Sequence, residues 1–97
     1  MTDTRLKPLD VITIGRCSVD LYGQQVGSRL EDAASFAESV GGCPSNIAIG
    51  TARLGLKSGL ITKVGDEQMG RFVKEQMARE GVALDGIATD PARLTSL

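Results

Sequence analysis

The chain has 97 residues, 41% hydrophobic and 24% charged, the make-up of an ordinary folded domain and far from the highly charged signature of disorder. Eleven basic residues stand against twelve acidic ones for a net charge of −1, and the basic ones are scattered, which argues against a nucleic-acid or anionic-membrane surface. Histidine is missing altogether, which removes the commonest zinc sites and the His-based catalytic triads.

The first element is "DVITIGR" at 10–16, a short β-branched run closed by Gly15 that predicts a core strand buried on both faces. From Ser18 to Gly42 the pattern alternates irregularly between glycines; two exposed strands near 19–26 and 34–40 are expected, with a helix over 30–38 as the competing reading. At Pro44 the periodicity changes. Ile47, Thr51 and Leu54 fall at i, i+4 and i+7, Ala48 and Ala52 allow close packing, and Gly55 ends a helix of about eleven residues. "SGLITKVG" is the next strand. Asp66, a residue type favoured at helix starts, then precedes Met69, Phe72, Val73, Gln76 and Met77 at helical spacing as far as Gly81. A last strand is expected near 86–90, broken by Pro91. Strand, helix, strand, helix implies a parallel sheet covered by helices.

The two cysteines, Cys17 and Cys43, have no metal-ligand spacing and are expected as reduced thiols. The N-terminus has no apolar leader core, and no apolar run approaches the ~20 residues that span a bilayer. A cytoplasmic location is the expectation. Phe36, Phe72 and Tyr22 are the only aromatic residues, too few to stack single-stranded nucleic acid.

The stretch that carries chemistry is "GGCPSN" at 41–46. Glycines ahead of a helix let the backbone approach a ligand, and the helix start offers unpaired N–H groups and the positive end of the macrodipole. Pro44 suits the first turn, where its missing N–H costs nothing. Asn46 either reads a sugar hydroxyl with its amide or caps the helix. Asp20 and Arg16 follow the first strand at its carboxyl end, where open α/β sheets bind ligands; Asp20 either accepts hydrogen bonds from vicinal hydroxyls or is a solvated loop residue. Asp66 is read as a cap.

The spacing Gly41-Gly42-x-Pro44-x-Asn46-x-Ala48, with Gly55 and Gly65 after it and Gly15 and Asp20 before it, resembles the N-terminal signature of the ribokinase-like (PfkB) carbohydrate kinase family, and the resemblance covers residues 9–97. It implies an α/β fold with a Rossmann-type sheet, helices on both faces and part of a small β lid. Core segments would be 10–16 and 43–85, and lid strands about 19–40 and 86–97. It also implies phosphoryl transfer from ATP, with Mg2+, to a sugar hydroxyl. Asp20, Gly41, Gly42 and Asn46 match the family's sugar-binding positions. The members it looks most like act on a sugar acid, whose carboxylate calls for a cation; Arg16 is the candidate by position, with Arg29 behind it. A homodimer through the lid is a further expectation.

The family's catalytic aspartate, its anion hole and its adenine and Mg2+ sites belong to a second signature far toward the C-terminus. No such glycine-rich turn follows residue 70, so no catalytic and no metal-binding residue is expected here, and the chain by itself is expected to be an inactive N-terminal fragment. Two other readings stay open: a ribokinase or fructokinase specificity, and a binding module without catalysis. A dinucleotide-binding domain is disfavoured because "TIGRCSVD" lacks the G-x-G-x-x-G turn.

Overall fold

The computed structural model describes residues 8–97. Five strands and two helices follow in the order β1 (Val11–Ile14), β2 (Ser18–Gly23), β3 (Phe36–Gly41), α1 (Cys43–Arg53), β4 (Ser58–Gly65), α2 (Gln68–Arg79) and β5 (Ile87–Asp90). Where a helix over 30–38 competed, the only helical piece is a single 3-10 turn at Leu30–Asp32, and β3 takes residues 36–38.

Two sheets result. The core sheet has the order β1-β4-β5 and is parallel throughout, with Val11 opposite Ser58 and Thr62 opposite Ile87. β4 is its centre, and its carboxyl half reaches β5 while its amino half reaches β1. β2 and β3 form a separate antiparallel ribbon, with Ser18 opposite Gly41 and Gly23 opposite Phe36. The expected strands near 19–26 and 34–40 correspond to this ribbon.

Three expectations are corrected. Residues 87–90 belong to the core sheet and not to the lid: Ile87 is buried in the core beside Leu60 and Val64, and the crossover through α2 returns the chain parallel to β4, as a strand-helix-strand unit demands. Pro91 terminates what is an edge strand of that sheet, where proline is tolerated. Next, β1 is not buried on both faces. Both helices lie on the face that carries Thr13, Ser58 and Thr89, since Thr13 Oγ1 donates to Pro44 O, Thr51 Oγ1 meets Ser58 Oγ and Lys74 Nζ meets Thr89 Oγ1. The opposite face leaves Ile12 59% and Ile14 73% exposed, so within the described residues helices cover one face and not two.

The third correction concerns which side of α1 packs. Ile47 and Leu54 are exposed, while Ser45 and Ala48 are fully buried and Ile49 and Ala52 pack partly on the core. Small residues win here because α1 crosses close over β1 and β4, and a bulky side chain has no room beneath it. α2 packs as its spacing predicts, through Val73 and Met77. Burying Leu60, Met77 and their like contributes about 2–3 kcal/mol each, and this cluster fixes β4 and both helix axes.

Candidate functional site at the base of the ribbon

Two short segments cross where β1 ends and α1 begins. Gly15 has φ 144°, and a Cβ there would lie 2.8 Å from Pro44 Cγ. Gly42 has φ 97°, and its added Cβ would meet Arg16 O at 2.5 Å and Cys17 Cα at 3.2 Å. Both positions combine left-handed backbone with a close approach, so only glycine fits. Thr13 Oγ1 donates to Pro44 O over 2.8 Å and ties the crossing to the sheet.

The crossing sets the N-terminus of α1 at the carboxyl end of β1, the end at which such sheets bind ligands. Gly42 is its N-cap; no side chain caps it, and no acidic residue occupies the first turn. The positive end of the helix therefore carries no acidic side chain of its own first turn, and the described carboxylate set beside it is that of Asp20. Asn46 is not a cap. Its backbone N–H makes the ordinary helical bond to Gly42 O at 3.0 Å, and its side chain is directed elsewhere.

Asp20 is partly buried on β2, opposite Ser39. The two-residue period of the ribbon places Ser18, Asp20 and Tyr22 on one face with Gly41 and Ser39, and Val19 on the other with Val40. The valines are buried in the core, which fixes the register and turns the polar row away from it. Ser18 Oγ donates to Asp20 Oδ1 at 3.3 Å. The Asp20 carboxylate lies over Gly41: a Cβ at Gly41 would fall 2.6 Å from Asp20 Cγ.

Asp20, Gly41 and Gly42 thus come together beside the start of α1. Asn46 does not join them in one cavity; it lines a cleft of about 320 Å³ with Glu38, Val40, Phe72 and Gln76. Asp20 borders a different one of about 510 Å³ with Tyr22, Phe36 and Leu97. Arg16 is exposed beside Gly42 and makes no ion pair with another described residue. Arg29 is engaged locally, with Asp32 at 2.8 Å and Glu31 at 3.7 Å.

The α2 start also departs from expectation. Its cap is Glu67 and not Asp66: Glu67 Oε2 accepts from Met69 N at 3.2 Å and Oε1 from Gly70 N at 3.0 Å. The helix begins at Gln68, so the capping position falls one residue beyond the favoured residue type, and the longer carboxylate of Glu67 reaches the amides of the first turn ahead of it. Sequence reasoning missed this and missed Thr95, which donates its hydroxyl to Glu67 Oε1. Together these bonds hold the Glu67 carboxyl below its ordinary range, the Thr95 hydroxyl bond contributing most.

The profile of the pfkB family carbohydrate kinases matches residues 9–97. The chain belongs to that family. It is 44% identical over 84 residues to a 5-dehydro-2-deoxygluconokinase of Geobacillus thermodenitrificans, covering 87% of this chain and 25% of that one. The fold is similar to that of a PfkB protein from Polaromonas, with a TM-score of 0.82 at 38% identity over 90% of this chain and 29% of the other. It is similar also to a sugar kinase of Pyrococcus horikoshii in complex with ATP, with a TM-score of 0.81 at 36% identity over 88% and 28%. The chain spans about a quarter of the length of the curated relatives it matches. No helix among the described residues is long and apolar enough to cross a membrane.

Among the described residues no three acidic or thiol side chains converge as a set that could hold a divalent ion.

Proposed function

We propose that these residues form the sugar-binding portion of an ATP-dependent kinase that phosphorylates 5-dehydro-2-deoxy-D-gluconate at its terminal hydroxyl, a step of myo-inositol catabolism. The observation that carries the reading is the placement of the Asp20 carboxylate over Gly41, beside the uncapped start of α1. A carboxylate accepts hydrogen bonds from two neighbouring hydroxyls, and glycine backbone lets a ring or chain of carbons lie against it. Likeness to kinases of that name and to an ATP-bound sugar kinase supports the substrate and the phosphoryl donor.

In this reading Asp20 holds the sugar hydroxyls, and Gly41 and Gly42 form the floor. Arg16 pairs with the substrate carboxylate, for which its charge stands uncommitted to any described acidic residue. Asn46 offers its amide from the adjoining cleft. The β2-β3 ribbon is half of a lid over the sugar, and its exposed Leu21, Tyr22 and Phe36 suit a lid-to-lid homodimer. Catalytic base and anion hole are contributed by other parts of the enzyme, so these residues bind without turning over.

Calorimetric titration tests the assignment. Saturable binding of 5-dehydro-2-deoxy-D-gluconate, with fructose and ribose binding at least about tenfold more weakly, is expected, a gap of about 1.4 kcal/mol. Equal or tighter binding of a neutral sugar overturns the acid as substrate and favours a fructokinase or ribokinase specificity.

A further inference from the structure

Thr95 is a polar residue near the end of the chain, yet it is only 8% exposed. Its Oγ1 accepts from Gly65 N at 2.9 Å and donates to Glu67 Oε1, and its own N–H reaches the same Oε1 at 3.3 Å. Glu67 needs only the Met69 and Gly70 amides to cap α2. Its remaining acceptor capacity goes to a residue 28 positions away.

The surrounding backbone is shaped to allow this. A Cβ on Gly65 would lie 2.7 Å from Arg93 O and 2.8 Å from Glu67 Oε1, and one on Gly70 would lie 3.2 Å from Thr95 Oγ1. Two glycines therefore let the 93–95 segment close onto the start of α2. The next residue continues the connection, because Ser96 O accepts from Val19 N at 2.9 Å. Val19 immediately precedes Asp20. One carboxylate thus links the start of α2, through two residues, to the strand that presents the proposed sugar ligand.

We propose that Glu67, acting through Thr95, is a positioning residue for the sugar site: the Glu67–Thr95 clamp holds residues 95–96 against β2 and so sets where Asp20 lies over Gly41. The inference rests on the reading of Asp20 as a sugar ligand. Glu67 itself stands off the substrate and works through the strand it braces. The low affinity of its carboxyl for a proton keeps the acceptor charged at neutral pH.

Amide hydrogen exchange of Val19, read by NMR on this chain, reports the Ser96 bond directly, and calorimetry reports binding of 5-dehydro-2-deoxy-D-gluconate. Thr95→Val keeps the branched shape and removes the hydroxyl. It is expected to lower Val19 protection about tenfold and sugar-acid affinity about fivefold with the circular dichroism spectrum unchanged, and Thr95→Ser is expected to restore both. Glu67→Gln, which keeps the size of the cap, moves both readouts in the same direction and serves if Thr95→Val does not fold. Unchanged Val19 protection in these variants overturns the clamp. Lost protection with unchanged affinity overturns the positioning role. Asp20→Asn separates the two readings: if it binds the acid as tightly as the parent chain, the sugar assignment and the positioning role fall together, while Val19 exchange still decides the clamp.

Discussion

The carboxylate of Asp20 rests against the bare Cα of Gly41, on the one face of the β2-β3 ribbon that is polar. A methyl group at Gly41 would occupy the space of the carboxylate. Gly41→Ala is therefore expected to leave the fold intact, displace Asp20 and reduce sugar-acid affinity about tenfold or more, measured by calorimetry beside a thermal melt. An affinity equal to the parent chain's would show that Asp20 has no part in binding.

Gly42 is constrained twice, by its left-handed backbone and by Arg16 O. Gly42→Ala is expected to cost about 1–3 kcal/mol of stability, seen as a lower urea midpoint with an unchanged slope. The penalty is conformational as well as steric, so it exceeds that of Gly41→Ala.

Ser45 is fully buried and its Oγ finds no hydrogen-bond partner among the described residues. A hydroxyl taken out of water without compensation is a net loss. Ser45→Ala is expected to stabilise the chain by about 1 kcal/mol, helped by the better helix propensity of alanine. A fall in the urea midpoint would mean that the hydroxyl has a partner.

Acid should loosen the structure through three carboxyls. Glu67 is held low chiefly by the Thr95 hydroxyl, Glu80 by the Arg53 guanidinium and Asp90 by the Ala92 amide. Their folded values lie below the ordinary 4.5 of glutamate and 3.8 of aspartate, so between the two the unfolded chain binds more protons. Their stabilisation is complete above the ordinary values and is lost as pH falls through the folded ones. The urea midpoint is expected to stay level from pH 7 to about 5 and to drop below that, with Glu67→Gln showing a shallower drop.

Where local chemistry decides structure, the sequence is a sufficient guide. Gly41-Gly42 before Pro44 forecasts the start of α1, "SGLITKVG" is β4 residue for residue, and the period of Val73 and Met77 marks the face of α2. Where a distant partner decides, it is not. Residue preference favours Asp66 as the cap, but the helix begins at Gln68 and Glu67 takes the Met69 and Gly70 amides, and nothing local forecasts the further bonds it accepts from Thr95. Ile47 and Leu54 look like a core stripe, but the closeness of α1 to the sheet selects Ser45 and Ala48 instead. Residues 87–90 read equally as lid or core strand until the crossover through α2 places them beside β4. For the site, the resemblance to the family names Asp20, Gly41 and Gly42, and the fold sets Asp20 over Gly41, whereas the separate cleft of Asn46 and the local pairing of Arg29 depend on side-chain directions that spacing does not encode.

Arg16 is the proposed partner of the substrate carboxylate, and charge alone distinguishes that role from hydroxyl binding. Arg16→Ala is expected to weaken the sugar acid about tenfold while changing affinity for a neutral sugar little, in paired calorimetric titrations. Equal losses for both would remove the carboxylate contact from the account.

The most direct test of the central claim is an amide-resolved NMR titration of the chain with 5-dehydro-2-deoxy-D-gluconate. The account predicts saturable shifts concentrated at Arg16, Asp20, Gly41 and Gly42, abolished by Asp20→Asn in a chain that stays folded. Shifts that leave these residues untouched, or that persist unchanged in Asp20→Asn, would contradict it.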